Sequence, residues 1–304
     1  MTRLGVRSAL TVAMTVRGQR LGVLTLSTTG ASARRLGPEQ LGVAEELAQL
    51  AAVAVDGARL HAQRSAIART LQSSLLPPHL PEIAGVESAA LYRAAGAGTD
   101  VGGDFYDLFS VADDEWIAVI GDVCGKGAEA AAVTALARYT IRTAAVRRRS
   151  PAAILRWLND AMLRHDLAGR FCTITCVHLD TARPAIRVAV ACGGHPPALV
   201  RRADGRVVSL GKAGTLLGLV PDPVLEDVRS ELNSGDAIVL YTDGITEARA
   251  PQRVLEEQDL RASLASAPAG AAQGLVEQLA TLARGKEGTP PRDDIALLAL
   301  RARG

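Results

Sequence analysis

Hydrophobic positions recur with two different periods along the chain, and the changes of period divide its 304 residues into three regions. From Ser8 to Val16, and again from Leu21 to Ser27, apolar and polar residues alternate in the two-residue period of half-buried strands. The segment Arg17-Gly18-Gln19-Arg20 supplies the turn between them. Two strands cannot bury a core alone, so this region is a fragment of a larger domain or needs a partner. Between Pro38 and Leu76 the period becomes helical. Pro38 suits a first helical turn and Pro77-Pro78 stops the run. Ala44, Leu47, Ala51, Ala54 and Ala58 follow a 3-4-3-4 spacing that fits the seam of a helix pair. The pattern lapses at His61 and Ser65, resumes at Ile67, Leu71 and Leu75, and leaves Gly57 as a candidate break. The helix either docks on its own domain or dimerises as a signalling helix.

From about Val86 onward, short β runs mix with a few helices. Strands are expected at Glu115 to Asp122, Cys172 to Leu179, Ile186 to Cys192, Asp236 to Thr242 and Ile295 to Leu300. Helices are expected at Ala130 to Ala145, after Ser150-Pro151 with Ser150 as N-cap, and at Ala271 to Arg284. Strands and helices do not alternate strictly, which disfavours a parallel βαβ sheet and favours antiparallel sheets covered by helices. The expected class is therefore α+β. The expected organisation is 1–58 as a hairpin-plus-helix segment, 59–80 as a linker helix and 81–304 as the main domain.

Composition narrows the function. Aromatic residues make up 3% against 48% hydrophobic, so Val, Leu, Ile and Ala must form the core. Lys plus Arg total 34 and Asp plus Glu 32, a net charge of +2, so neither nucleic acid nor membrane is an expected partner. Cys124, Cys172, Cys176 and Cys192 lie in or beside apolar strands without a histidine cluster and read as small core residues in a reducing cytosol. No run of 18 apolar residues appears and the first residues lack a signal-peptide pattern, so a cytoplasmic protein is expected.

Candidate chemistry centres on AVIGDVCGKGAEAA, residues 118–131. It resembles a phosphate-cradling strand–turn–helix, but Gly121 is one position off the P-loop spacing and no Ser or Thr follows Lys126. What remains is Asp122 at the end of an apolar strand. The same design recurs at Asp104 and Asp107, at Asp243, and at Asp293-Asp294. Aspartate disfavours strands and is costly when buried unpaired. Several aspartates beside core strands point to a cation among them, and all-oxygen ligands suit Mg²⁺ or Mn²⁺.

Five segments, in order, carry a family resemblance: Gly102-Gly-Asp-Phe-Tyr-Asp107, Gly121-Asp-Val-Cys-Gly-Lys-Gly127, Gly193-Gly-His-Pro-Pro197, Tyr241-Thr-Asp-Gly-Ile-Thr-Glu247 and Pro291-Arg-Asp-Asp-Ile295. Together they resemble the metal-dependent protein serine/threonine phosphatases of type 2C (PPM), in the bacterial SpoIIE/RsbU branch, over roughly residues 66 to 302. Leu71 to Pro81 resembles the helix-to-domain junction of that branch, and the N-terminal region resembles the last hairpin and exit helix of a GAF domain. The resemblance implies an αββα sandwich with two Mg²⁺ or Mn²⁺ ions. Asp122 would bridge them, the Val123 carbonyl would bind one, and Asp243, Asp293 and Asp104 would complete the site. Asp107 and Asp294 are left open between ligand and supporting roles.

The implied reaction is attack of a metal-activated water on a phosphoserine or phosphothreonine, with no protein nucleophile. Branch membership further implies a phosphorylated anti-anti-sigma (STAS) protein as substrate in a partner-switching pathway, and a possible homodimer through residues 38–76. Animal relatives have a histidine where this chain has Cys124; His195 is either a replacement acid or a loop-shaping residue. Lys126 is either a solvated lysine or a phosphate ligand. Two other classes remain: a catalytically weak regulatory or scaffold domain working through its helix, and a hydrolase of nucleotides or other small phosphates.

Overall fold

The computed structural model describes residues 5–29, 35–95, 101–165, 167, 169–182, 185–251, 253–268, 270–283 and 293–303. Pro291 and Arg292 of the last motif, and the expected helix end at Arg284, lie outside the described residues. By internal packing the chain divides into two units, Met1–Ala66 and Ile67–Gly304.

In the first unit β1 (Val6–Val16) and β2 (Gln19–Thr29) form an antiparallel hairpin. Arg17 and Gly18 both take positive φ, 48° and 78°. Such a two-residue turn matches the right-handed twist of its strands. It is therefore tighter than the four-residue turn that the sequence predicts, and β2 starts at Gln19. Helix α1 (Pro38–Leu75) follows without interruption at Gly57. Its Ala44 and Ala48 pack on Val12, with Met14, Leu24 and Leu26 alongside. Ala44, part of the expected dimer seam, is thus spent on the chain's own hairpin. The expected seam positions Leu47, Ala54 and Ala58 remain exposed. So do Val43, Leu50, Val53 and Leu60, Leu50 by 69%, at spacings of seven, three and seven residues that also suit a coiled-coil stripe.

The second unit is a two-sheet sandwich flanked by helices. Its elements run β3 (Val86–Arg93), β4 (Phe105–Ala112), β5 (Glu115–Val123), α2 (Ala128–Ala145), α3 (Pro151–Arg164), β6 (Cys172–Asp180), β7 (Ile186–Gly193), β8 (Ala198–Arg201), β9 (Val207–Leu210), β10 (Val228–Leu232), β11 (Ala237–Tyr241), α4 (Gly244–Glu247), α5 (Glu257–Ser266), α6 (Ala272–Leu282) and β12 (Ile295–Ala302). One sheet has the order β10-β7-β6-β5-β4 and the other β3-β12-β11-β8-β9, with every pairing between these strands antiparallel. This is the αββα sandwich implied by the motifs.

Three apolar layers hold it together. Ile120, Val177, Val190, Ile238, Leu240 and Leu298 meet between the sheets. Helices α2 and α3 cover the first sheet through Val133, Ile141, Leu155 and Leu158. Helices α5 and α6 cover the second through Leu260, Leu264, Val276 and Leu279. At the start of α3, Ser150 Oγ accepts from the Ala153 amide at 3.2 Å, as an N-cap serine should. Cys172 and Cys176 share the helix-covered face of β6; all four cysteines are free.

Antiparallel pairing also decides where polar strand ends meet. The start of β4 lies beside the end of β5, with Phe105 opposite Gly121. The end of β11 lies beside the start of β12. Asp107 does not join that end. Its carboxylate is fully buried and accepts from Arg138 Nη2 at 3.1 Å and Arg142 Nε at 2.8 Å, tying β4 to α2. Removing one member of a buried ion cluster leaves the others unpaired, which costs about 3–5 kcal/mol. Asp107→Ala should therefore lower unfolding free energy in urea by about that amount. Arg142→Ala should cost much less, because that side chain is 39% exposed and Arg138 keeps the carboxylate paired. Equal losses from the two substitutions would refute this account of Asp107.

Candidate metal centre

Three carboxylates converge at the shared end of the sandwich. Carboxylate oxygens of Asp104, just before β4, Asp122, near the end of β5, and Asp243, just after β11, all lie within 4.8 Å of one another. Asp104 is 3% exposed, whereas Asp243 is open to solvent. The two sheets thus contribute to one acidic cluster.

The backbone fits tightly around it. A Cβ on Gly103 would lie 2.2 Å from the Val123 carbonyl oxygen and 2.3 Å from Asp122 Oδ1, so only glycine lets β4 approach these two groups. The Val123 amide donates to the Gly103 carbonyl at 3.2 Å. A Cβ on Gly102 would fall 1.4 Å from Asp294 Oδ2. The Gly-Gly of the first motif is therefore a clearance requirement, with the Val123 carbonyl lying at the same place as the Asp122 carboxylate.

Asp293 and Asp294 border the cluster differently. Asp293 Oδ1 is paired with Lys126 Nζ at 2.9 Å. Asp294 Oδ1 accepts from the Ala95 amide at 2.7 Å, and the Asp294 amide donates to Asp293 Oδ1 at 3.1 Å. Among the described residues no group donates to the buried Asp294 Oδ2 with good hydrogen-bond geometry, although the Tyr92 hydroxyl lies near enough to favour its charge. Of the five expected ligand groups, Asp104, Asp122 and Asp243 form the compact group, the Val123 carbonyl adjoins it, and Asp293 stands beside it on Lys126.

The electrostatics are those of a cluster short of positive charge. Burial, then the Asp122 charge, holds the Asp104 carboxyl well above its usual range, against the lowering effect of the Thr242 hydrogen bond. Asp122 is pushed up to about 7 by burial and by Asp243, Asp293 and Asp294. Asp243 is raised by burial and by Glu247 and Asp293. Carboxylates are raised in this way when like charges share a desolvated site. A hard divalent cation relieves both causes, and oxygen donors from three carboxylates plus a carbonyl match its preference. The residues therefore fit the Mg²⁺ or Mn²⁺ that the family implies.

Two supporting residues escaped the sequence reading, and a third has a defined role. Thr242 donates from Oγ1 to Asp104 Oδ2 at 2.6 Å and accepts from the Ala296 amide at 3.0 Å, fixing Asp104 across the sandwich. Thr173 pairs with Asp122 across β5 and β6, and its Oγ1 lies 2.8 Å from His195 Nδ1. His195 Nε2 lies 3.1 Å from the Tyr241 carbonyl, so Nε2 carries the proton and Nδ1 accepts from Thr173. Burial lowers this imidazole to about 4, and the ring is 3% exposed. His195 is thus a neutral brace between β6, the strand paired with that of Asp122, and the end of β11 that leads to Asp243. Thr242 was visible only as the residue before Asp243; nothing in the sequence singled out Thr173.

Comparison with known proteins agrees with this geometry. The Stage II sporulation protein E (SpoIIE) family matches residues 112–303, and the GAF domain matches residues 1–55. The chain is 27% identical over 237 residues to the phosphoserine phosphatase RsbU of Bacillus subtilis, covering 77% of this chain and 69% of RsbU. It is 27% identical over 212 residues to protein IcfG of Synechocystis, of which it spans 33%. Among solved structures, the SiaA PP2C domain of Pseudomonas aeruginosa superposes with a TM-score of 0.67 at 25% identity, covering 82% of this chain and 98% of that domain. No described helix is long and apolar enough to cross a membrane. The chain belongs to the Stage II sporulation protein E (SpoIIE) family and carries that family's PP2C-type phosphatase domain.

Proposed function

We propose that this chain hydrolyses phosphoserine or phosphothreonine on a STAS-type protein, with Mn²⁺ or Mg²⁺ held by Asp104, Asp122, Asp243, Asp293 and the Val123 carbonyl. The observation that carries the reading is the meeting of Asp104, Asp122 and Asp243 within 4.8 Å across two sheets. When bound, divalent ions neutralise a phosphomonoester dianion and supply an activated water at neutral pH. The chain's own part is orientation. Thr242 aims Asp104, the Gly102-Gly103 pair lets the strands close, and His195 ties Thr173, across from Asp122, to the Tyr241 backbone ahead of Asp243. His195 does not serve as the acid for the leaving group, since both ring nitrogens are engaged inside the protein. The STAS-type substrate is supported by the branch-specific motifs and by the likeness to a phosphoserine phosphatase, RsbU.

The domain division is proposed at 1–58, 59–80 and 81–304, with α1 as the element through which two copies associate. The exposed apolar residues of α1 support this association. Light scattering should find a dimer at micromolar concentration that Leu50→Glu with Ile67→Glu converts to folded monomer. A monomeric unsubstituted protein would remove α1 as the seam.

Turnover gives the direct test of function. With Mn²⁺, the protein should release phosphate from a phosphoserine STAS protein and not from free nucleotides. Chelation should stop the reaction, and Asp122→Asn should lower kcat at least about 100-fold, the scale of losing a preorganised electrostatic element. Nucleotide hydrolysis with the phosphoprotein untouched would favour a small-phosphate hydrolase. Unchanged turnover in Asp122→Asn would refute the assigned site.

A further inference from the structure

Lys126 occupies an unusual place for a surface-accessible lysine. Its ammonium lies 2.9 Å from Asp293 Oδ1, with both side chains a little under half exposed. The carboxylates of Asp293, Asp294 and Asp122 all favour its charged form, the hydrogen bond to Asp293 most of all. The loop under it is fixed on both sides. The Cys124 amide donates to the Phe171 carbonyl at 2.9 Å, Arg170 Nη1 donates to the Cys124 carbonyl at 3.0 Å, and the Gly127 amide donates to the Val101 carbonyl at 2.7 Å. Gly125 and Gly127 hold positive φ, 100° and 90°, that an L side chain resists. The base of Lys126 is therefore anchored, while its four-carbon stem is free to swing.

Asp293 has two claims on it. It is the carboxylate expected to complete the metal site, yet its partner here is an ammonium. A lysine charge beside a divalent cation raises the free energy of the loaded site by Coulomb repulsion. The pair is solvent-accessible, so the penalty is modest and weakened by salt.

We propose that Lys126 is an internal counter-cation of the carboxylate cluster: it holds Asp293 until a divalent ion claims that carboxylate, and so sets the affinity of the site for metal. This rests on the metal-site reading above and adds a positioning residue to it. Lys126 tempers binding, and its loss tightens the site.

The test is calorimetric titration of Mn²⁺ into the full chain at low ionic strength. Lys126→Gln should bind about two- to fivefold more tightly than the unsubstituted protein, the effect of a partly exposed charge pair. Lys126→Arg should restore the original affinity, and 0.5 M salt should shrink the difference. In an Asp293→Asn background, the gain from Lys126→Gln should largely vanish, because the two effects are coupled. Unchanged or weaker binding by Lys126→Gln, or a gain that persists in full without the Asp293 carboxylate, would overturn the proposal and leave the metal site standing. If the unsubstituted protein takes up no Mn²⁺, matching Asp122→Asn, the metal-site reading itself falls and this inference with it.

Discussion

Mutual repulsion among aspartates at one end of a β sandwich is the constraint that organises this protein. Asp104, Asp122 and Asp243 crowd within 4.8 Å, with Asp293 and Asp294 at their border. Burying such charges without a counter-ion costs more than any one turn or hydrogen bond returns. The fold tolerates the cluster because its strands arrive already braced by apolar layers on both sides of each sheet. The resulting excess of negative charge would give a divalent cation its driving force to bind.

The bracing between the sheets is specific. Thr242 on the second sheet's side hydrogen-bonds Asp104 on the first, and its backbone neighbourhood includes Ala296 of β12. His195 reaches Thr173 on one sheet and the Tyr241 carbonyl on the other. Each brace ends on, beside or within two residues of a cluster aspartate. A shift of one sheet against the other would therefore disturb the spacing of the carboxylates. Asp107, three residues beyond Asp104, uses Arg138 and Arg142 to fasten the same strand to helix α2. The spacing of the carboxylate cluster and helix packing are consequently linked through one short stretch of β4.

Much of this was legible in the sequence because strand ends rich in aspartate and glycine are costly unless they do something. Gly102-Gly103-Asp104 and Gly121-Asp122 stood out for that reason, and close contacts at Gly102 and Gly103 show the cost being avoided. Helices α2, α3 and α6 were marked by apolar spacing and, for α3, by Ser150-Pro151. Strands β3, β4, β8, β9 and β10 were not read. β4 begins inside a motif whose polar residues mask its alternation, and β8, β9 and β10 are four or five residues long. The roles of Asp107 and Asp293 also depended on long-range partners, Arg138 and Arg142 for one and Lys126 for the other. The helix seam shows the same limit. Ala44 matched a coiled-coil pattern, but only the packed hairpin reveals that this one position of it is covered, while Leu47, Ala54 and Ala58 stay exposed.

The account is tested most directly by comparing unfolding free energies of the unsubstituted protein and Asp122→Asn in chelator, from pH 4 to pH 8. The Asp122 carboxyl is raised to about 7 in the fold, above its ordinary value near 4. The folded state then binds more protons than the unfolded chain, so the stability that this group contributes is complete at about pH 4 and is lost as pH rises through 7. Asparagine cannot ionise. The two proteins should therefore be close in stability at pH 4, with Asp122→Asn becoming the more stable as pH approaches 8. A gap that does not change with pH, or an unsubstituted protein that is the more stable at pH 8 without metal, would contradict a cluster that depends on a cation.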